Sequence, residues 1–269
     1  MSRILNSIDS NLIGRDSLGR LIAKDGFRAG DHGKQIDLPS VKTVSFFDDF
    51  LGDVIADQWN YVEGTGNPAD AAVLAGGIGG VLRVTTGAAG TGLAADLSQM
   101  TQALQWQASN GGLTLQARLK LSAITTCYVF IGFTDVATLE APIESANSAN
   151  TLTSNASDAV GFMFDTRMTN DTWWLVGVKA DTDATHQNTG YAPVADDYAT
   201  FRIELTSTGA ADFFYNGVQV GTRMSAAITA TTDLTPTLAV GKTSVAAGMT
   251  MDVDYAHVSM LRAADGDAT

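Results

Sequence analysis

From Val44 onward, apolar residues recur at every second position, and runs with that period are separated by glycine, asparagine and proline. A period of two sends alternate side chains to opposite faces, which is the geometry of a strand and not of a helix. Such runs cover 44–50, 58–63, 72–75, 80–86, 113–121, 126–134, 159–165, 172–179, 199–206, 211–216, 218–222, 236–242 and 250–261. In Leu113-Thr-Leu-Gln-Ala-Arg-Leu-Lys-Leu121 one face is wholly apolar and the other wholly polar. That pattern fits an antiparallel sheet with one face in the core and one in solvent. In Phe213-Phe-Tyr-Asn-Gly-Val-Gln-Val220, Asn216 and Gly217 supply the two positive-φ positions of a tight hairpin turn. With no helical stretch between the runs, the expected class is all-β: an antiparallel jelly-roll β-sandwich over 44–269. The segment 135–157, with its polar and unpatterned Ser145-to-Asn155 stretch, reads as a long loop.

Residues 1–43 differ. Ile4, Leu5, Ile8 and Leu12 have helical spacing for about three turns, too short to be stable alone. Glycines at 14, 19, 26, 30 and 33 then exclude a long helix or strand. Leu18, Leu21, Ile22 and Phe27 are apolar, which a purely solvated leader does not need. A flexible leader and an extended N-terminal arm that orders against a neighbouring subunit are the two readings, and the apolar residues favour the arm. Charge divides at the same place. Residues 1–44 carry seven basic side chains against five Asp, a balance of +2, so the remainder of a chain of net charge −13 carries −15.

An acidic body repels phosphate, so neither nucleic acid nor an anionic membrane is an expected partner. No run approaches the about 18 apolar residues of a membrane helix. The opening Met-Ser-Arg-Ile-Leu-Asn-Ser lacks the pattern of a signal peptide. The chain is therefore expected to be made in the cytoplasm and to reach any other place by assembly or lysis. Cys127, the only cysteine, lies in a strand pattern and reads as a small buried residue.

Three stretches together resemble the concanavalin A-like superfamily, in particular its laminin-G-like jelly rolls. These are Phe46-Phe-Asp-Asp-Phe50 followed by Trp59, the Tyr215-Asn-Gly-Val-Gln-Val-Gly221 hairpin, and the closing Met251-Asp-Val-Asp-Tyr-Ala-His-Val258. Together with the glycine-punctuated leader, the whole chain looks most like the virion proteins of tailed bacteriophages.

Glycoside hydrolases of that superfamily carry Glu-x-Asp-x-x-Glu or a close variant on one strand, which sets both glutamates on one face at a cleft. Here the only glutamates are Glu63, Glu140, Glu144 and Glu204, and none begins such a motif. Asp252 and Asp254 share a face of the last strand by alternation and read as exposed strand residues. His32, His186 and His257 fit no zinc spacing. Asp181-Thr-Asp183 and Asp196-Asp197 offer hard oxygen ligands of the kind Ca²⁺ takes; no other cofactor is expected. Gly241-Lys-Thr243 lacks both the first glycine and the helix of a phosphate loop, and no Gly-x-Ser-x-Gly elbow occurs. Among aromatics, Trp59 and Trp106 read as core. Trp173 and Trp174 cannot share a face, so one is core and the other outward or covered. An outward one beside Tyr191 would suit a glycan or a subunit interface.

The expectation is thus a non-catalytic structural protein: a capsid decoration (cement) protein at the virion surface. It would bind the major capsid protein or neighbouring virion subunits through Ile4, Leu5, Ile8, Leu12, Leu18, Leu21, Ile22 and Phe27. Homo-oligomerisation is expected, a trimer being one such form. The alternative is a glycan-binding adhesin module of a phage tail or fibre, which requires a solvent-facing aromatic with polar neighbours at the loop end of the sandwich.

Overall fold

A computed structural model of the chain describes residues 13–15, 21–23, 43–66, 69–75, 79–88, 92–146, 150–244 and 247–261. The chain divides into two units, Met1–Thr43 and Val44–Thr269. In the first, β1 (Ile13–Arg15) pairs antiparallel with β2 (Leu21–Ala23), Gly14 opposite Ile22. Of the apolar arm residues, Leu21 and Ile22 lie on β2, while Ile4, Leu5, Ile8, Leu12, Leu18 and Phe27 fall outside the described residues.

The second unit is a sandwich of two eight-stranded antiparallel sheets. Across the first sheet run β18 (Val218–Met224), β17 (Ala211–Tyr215), β16 (Ala199–Leu205), β8 (Leu113–Leu121), β20 (Thr250–Leu261), β6 (Leu82–Thr85) and β5 (Asp70–Val73). The opening strand β3 (Thr43–Asp48) also pairs with β20. Across the second run β14 (Thr182–Asp183), β13 (Trp174–Lys179), β12 (Ala159–Asp165), β9 (Cys127–Thr134), β19 (Thr235–Lys242), β7 (Ser98–Thr101) and β4 (Asn60–Glu63), with β15 (Gln187–Asn188) also on β13.

The first sheet behaves as its alternation requires: along β8 every second residue is buried. Between the sheets, Phe162 meets Phe201 and Phe213 edge-on at ring separations of 5.2 and 5.5 Å. The second sheet is buried on both faces, for β9, β12 and β19 expose no residue at all. Its outward side chains Tyr128, Phe130, Met163, Trp174, Val176 and Ala239 form a second core. Leu93 and Leu97 around the one-turn helix α1 (Leu93–Asp96) cover it, together with Ala141, Ile143 and Ala156. The segment read as a long loop is therefore a lid on this sheet, and it contains a hairpin of β10 (Ile143–Ser145) and β11 (Leu152–Ser154). Where β9 and β12 pair, Gly132 lies opposite Gly161. A Cβ on Gly161 would stand 2.8 Å from Phe130 Cζ, so glycine is what lets that ring lie flat on the sheet.

The opening motif also has a physical basis. Asp48 accepts from the Phe50 backbone N–H at 2.8 Å and from the Trp59 indole N–H at 3.0 Å. That clamp holds buried Phe50 at φ 52 and seats Trp59 edge-on to Phe46 at 5.6 Å. The Asn216–Gly217 turn has φ values of 49 and 80, as its hairpin requires.

Asp48→Ala leaves the Trp59 N–H, at a residue only 6% exposed, without its acceptor. A loss of about 1–3 kcal/mol of unfolding free energy is expected from urea denaturation. A midpoint unchanged from the unmodified protein would contradict this account of the motif.

Candidate functional site

At one end of the sandwich β8, β12, β17 and β19 finish while β9, β13, β16 and β20 begin. The loops 122–126, 166–173, 189–198 and 216–217 gather there, with residues 243–244 and 247–249. Loop 189–198 carries Tyr191, and backbone bonding fixes it tightly. The Trp173 N–H donates to the Tyr191 carbonyl at 2.8 Å, and the Thr189 hydroxyl donates to the Trp173 carbonyl at 2.7 Å. The Asp196 N–H donates to the Leu121 carbonyl at 2.8 Å, with Asp196 itself in the left-handed region at φ 60. A non-glycine residue held there by its surroundings is local strain of the kind that accumulates at functional sites.

The Tyr191 ring, 47% exposed, packs on Tyr215 at 5.3 Å. Tyr215 in turn packs on Phe201 at 5.5 Å, and Phe201 on Trp173 at 4.6 Å. Val194, in the same loop, and Val218, opposite Tyr215 in the β17–β18 hairpin, are both more than half exposed. Beside this aromatic stack lies a pocket of about 30 Å³ lined by Trp173, Asp197, Tyr198, Phe201, Tyr215 and Asn216. The Trp173 indole N–H, in a residue only 1% exposed, lies buried at this pocket and faces the Tyr215 hydroxyl as its hydrogen-bond partner. Burial, and then the charge of Asp197, raise the Tyr215 hydroxyl above its usual pKa, so it stays a neutral donor. A volume of this size takes a water or a single hydroxyl group, and a larger ligand must rest outside it, against Tyr191.

The other sequence candidates are distributed elsewhere. Trp173 and Trp174 do take opposite faces, Trp173 in the core between the sheets and Trp174 under the lid; neither is outward. Trp59 and Trp106 are buried. Cys127 is fully buried, and burial pushes its thiol up to about 12, which suits packing and not attack. Asp181 and Asp183 accept from the hydroxyls of Ser157 and Ser154. Among the described residues no three His, Cys, Asp or Glu gather into a metal-binding group. Asp252 departs from the exposed position expected of it: it is 5% exposed and paired with Arg83 at 2.7 Å. A bulge between Val253 and Tyr255 removes Asp254 from the alternation, and Asp254 pairs with Arg118 at 2.6 Å.

One arrangement was not legible in the sequence. Glu140 and Glu144, both in the supposed loop, line a single pocket of about 150 Å³ with Leu93, Leu97, Leu139 and Asn155. Burial, and then the charge of Asp135, raise the Glu140 carboxyl. Glu144 instead pairs with Arg167 at 2.7 Å. Around Glu140 several polar atoms are buried without partners: its own Oε1, Asp135 Oδ1 and Gln99 Nε2. The other amide atom of Gln99 accepts from the Glu140 N–H at 3.1 Å.

No protein-family model matches the chain, and no curated protein does. Solved structures do. A β-glucanase of Bacillus licheniformis superposes with a TM-score of 0.54 at 12% identity, over 80% of this chain and 97% of that one. An endo-acting O-glycanase of the human gut microbiota gives 0.56 at 9%, over 81% and 99%. The carbohydrate recognition domain of Emp47p gives 0.54 at 8%, over 81% and 95%. At such identities the likeness establishes the fold alone, a jelly-roll sandwich. It also corrects the expectation of a non-catalytic domain. Glucanases and a glycanase share this architecture along nearly their whole length, so a missing Glu-x-Asp-x-x-Glu on a strand does not remove enzymes from consideration.

Proposed function

We propose that the sandwich binds a neutral glycan at its loop end, with a sugar ring stacked on Tyr191 and one hydroxyl lodged in the pocket beneath it. The observation that carries this reading is the exposed Tyr191 ring, held by backbone bonds and stacked on Tyr215 beside a small pocket. The Tyr215 hydroxyl, which accepts from the Trp173 indole and keeps its own proton, can donate a hydrogen bond through that proton to a ligand hydroxyl. Sugars with equatorial hydroxyls present apolar ring faces, which an aromatic ring stacks against, while Asp197 and Asn216 offer polar groups at the rim. Net charge of −13 disfavours sulfated or uronic acid polymers. The fold shared with a β-glucanase and a carbohydrate recognition domain supports neutral β-linked glucans as the first ligands to try. Capsid decoration through residues 1–43 draws no support from the fold, and the glycan reading takes its place.

Tyr191→Ala should weaken binding to lichenan and laminarin at least tenfold in affinity electrophoresis, a change worth about 1.4 kcal/mol. Trp173→Phe, which keeps an aromatic side chain but removes the N–H that orients the Tyr215 hydroxyl, should weaken it by a smaller factor. Unchanged binding by the Tyr191 variant would refute the site.

The Glu140–Glu144 pocket favours a second reading, hydrolysis of a glycan at the lid, away from the Tyr191 site. Glu140, its carboxyl kept protonated to higher pH by burial, suits the general acid that protonates the leaving oxygen. Glu144, paired with Arg167, suits the partner carboxylate. Release of reducing ends from lichenan, lost by about 100-fold or more in Glu140→Gln, is the expected result. No release by the unmodified protein would sink this reading and leave the binding site untouched.

A further inference from the structure

A second depression opens at the same end of the sandwich, with a volume of about 410 Å³. Thr126, Thr166, Arg167, Asp171, Thr243 and Ser244 frame it, and its framework is rigid. The Thr166 hydroxyl accepts from the Cys127 N–H at 3.0 Å, and the Thr243 N–H donates to the Thr126 carbonyl at 2.9 Å. Thr126 is a β-branched residue at φ 50, a conformation such residues rarely adopt and one that the surrounding bonds must impose.

Arg167 is fixed before any ligand arrives. Its Nε donates to Asp165 at 3.0 Å and its Nη2 to Asp165 and Glu144 at 2.7 Å each. These bonds leave Nη1 without a partner among the described residues, and the same holds for the Asp171 carboxylate and the Ser244 hydroxyl. A fixed guanidinium donor and a free carboxylate acceptor in one depression complement a pair of neighbouring hydroxyls, each of which both donates and accepts. Asp171 and Trp173 stand two residues apart, a reach of at most about 7 Å and close to the length of one sugar unit. Segment 171–173 thus contributes to both depressions.

We propose that this depression is a further subsite of the glycan site, so that the ligand is a chain of several sugar units crossing the strand ends. The proposal rests on the glycan reading above. Calorimetric affinities for β-1,3- and β-1,4-linked gluco-oligosaccharides, from disaccharide to hexasaccharide, test it on the full chain. For the unmodified protein, affinity should rise at least tenfold along the series. Asp171→Ala combined with Ser244→Ala should abolish that rise while leaving disaccharide affinity within twofold. Asp171→Asn, which keeps the shape, should give an intermediate rise. Tyr191→Ala should lower affinity at every length. A rise that persists in the double variant, or no rise in the unmodified protein, overturns the subsite while the Tyr191 site stands. If the unmodified protein binds no member of the series, the subsite falls together with the glycan reading beneath it.

Discussion

Burial of the second sheet on both faces is the constraint from which most of this architecture follows. A sheet with Tyr128, Phe130, Met163, Trp174 and Val176 on its outer face must be covered, and the covering chain brings backbone polar groups that water can no longer reach. The solution centres on Asp165, whose carboxylate is fully buried and takes the Ser145 N–H at 2.9 Å and the Arg167 N–H at 2.9 Å. Arg167 then reaches back to Glu144 on the lid. The Tyr128 hydroxyl donates to the Ile143 carbonyl at 2.9 Å, and Gln99 accepts from Glu140 at the other end. A buried charge left unpaired would cost several kcal/mol, so Asp165, Arg167 and Glu144 hold or fail together.

That bonding fixes more than the lid. Arg167 begins the turn between β12 and β13, and the same turn delivers Asp171 to one depression and Trp173 to the other. The loop end therefore inherits its geometry from the covered face. A ligand meeting Tyr191 there finds a ring already held by backbone bonds and by stacking on Tyr215, so little conformational entropy remains to be lost on binding.

What the sequence made legible is what a single periodicity or a local turn encodes. The alternation of Leu113–Leu121, the Asn216–Gly217 turn and the opposite faces of Trp173 and Trp174 are all local, and all three hold. Strand β7 escaped notice because Ser98-Gln-Met-Thr101 is mostly polar; all four residues are buried, and hydrogen bonds take the place of apolar character. The β10–β11 hairpin escaped because small polar residues carry no period when only Ile143 and Leu152 point into the core. Asp252 read as exposed because an Arg83 partner 169 residues away leaves no local trace. The pocket beside Tyr191 has the same origin. Tyr215 ends β17 of the first sheet and Trp173 lies just before β13 of the second, so their meeting depends on tertiary packing alone.

The two candidate activities occupy different parts of the sandwich and make different demands. Binding at the loop end needs a rigid platform, which strand ends supply through loops tied by backbone hydrogen bonds. Hydrolysis at the lid needs two carboxylates in unlike surroundings, which requires burying one of them. Glu140 meets that requirement through the cover on the second sheet, while Glu144 is paired with Arg167. A chain that covers a sheet for stability thereby creates, at the edge of the cover, the half-buried carboxyl that general acid chemistry uses. The stability of the covered sheet and the raised Glu140 carboxyl are consequences of the same burial.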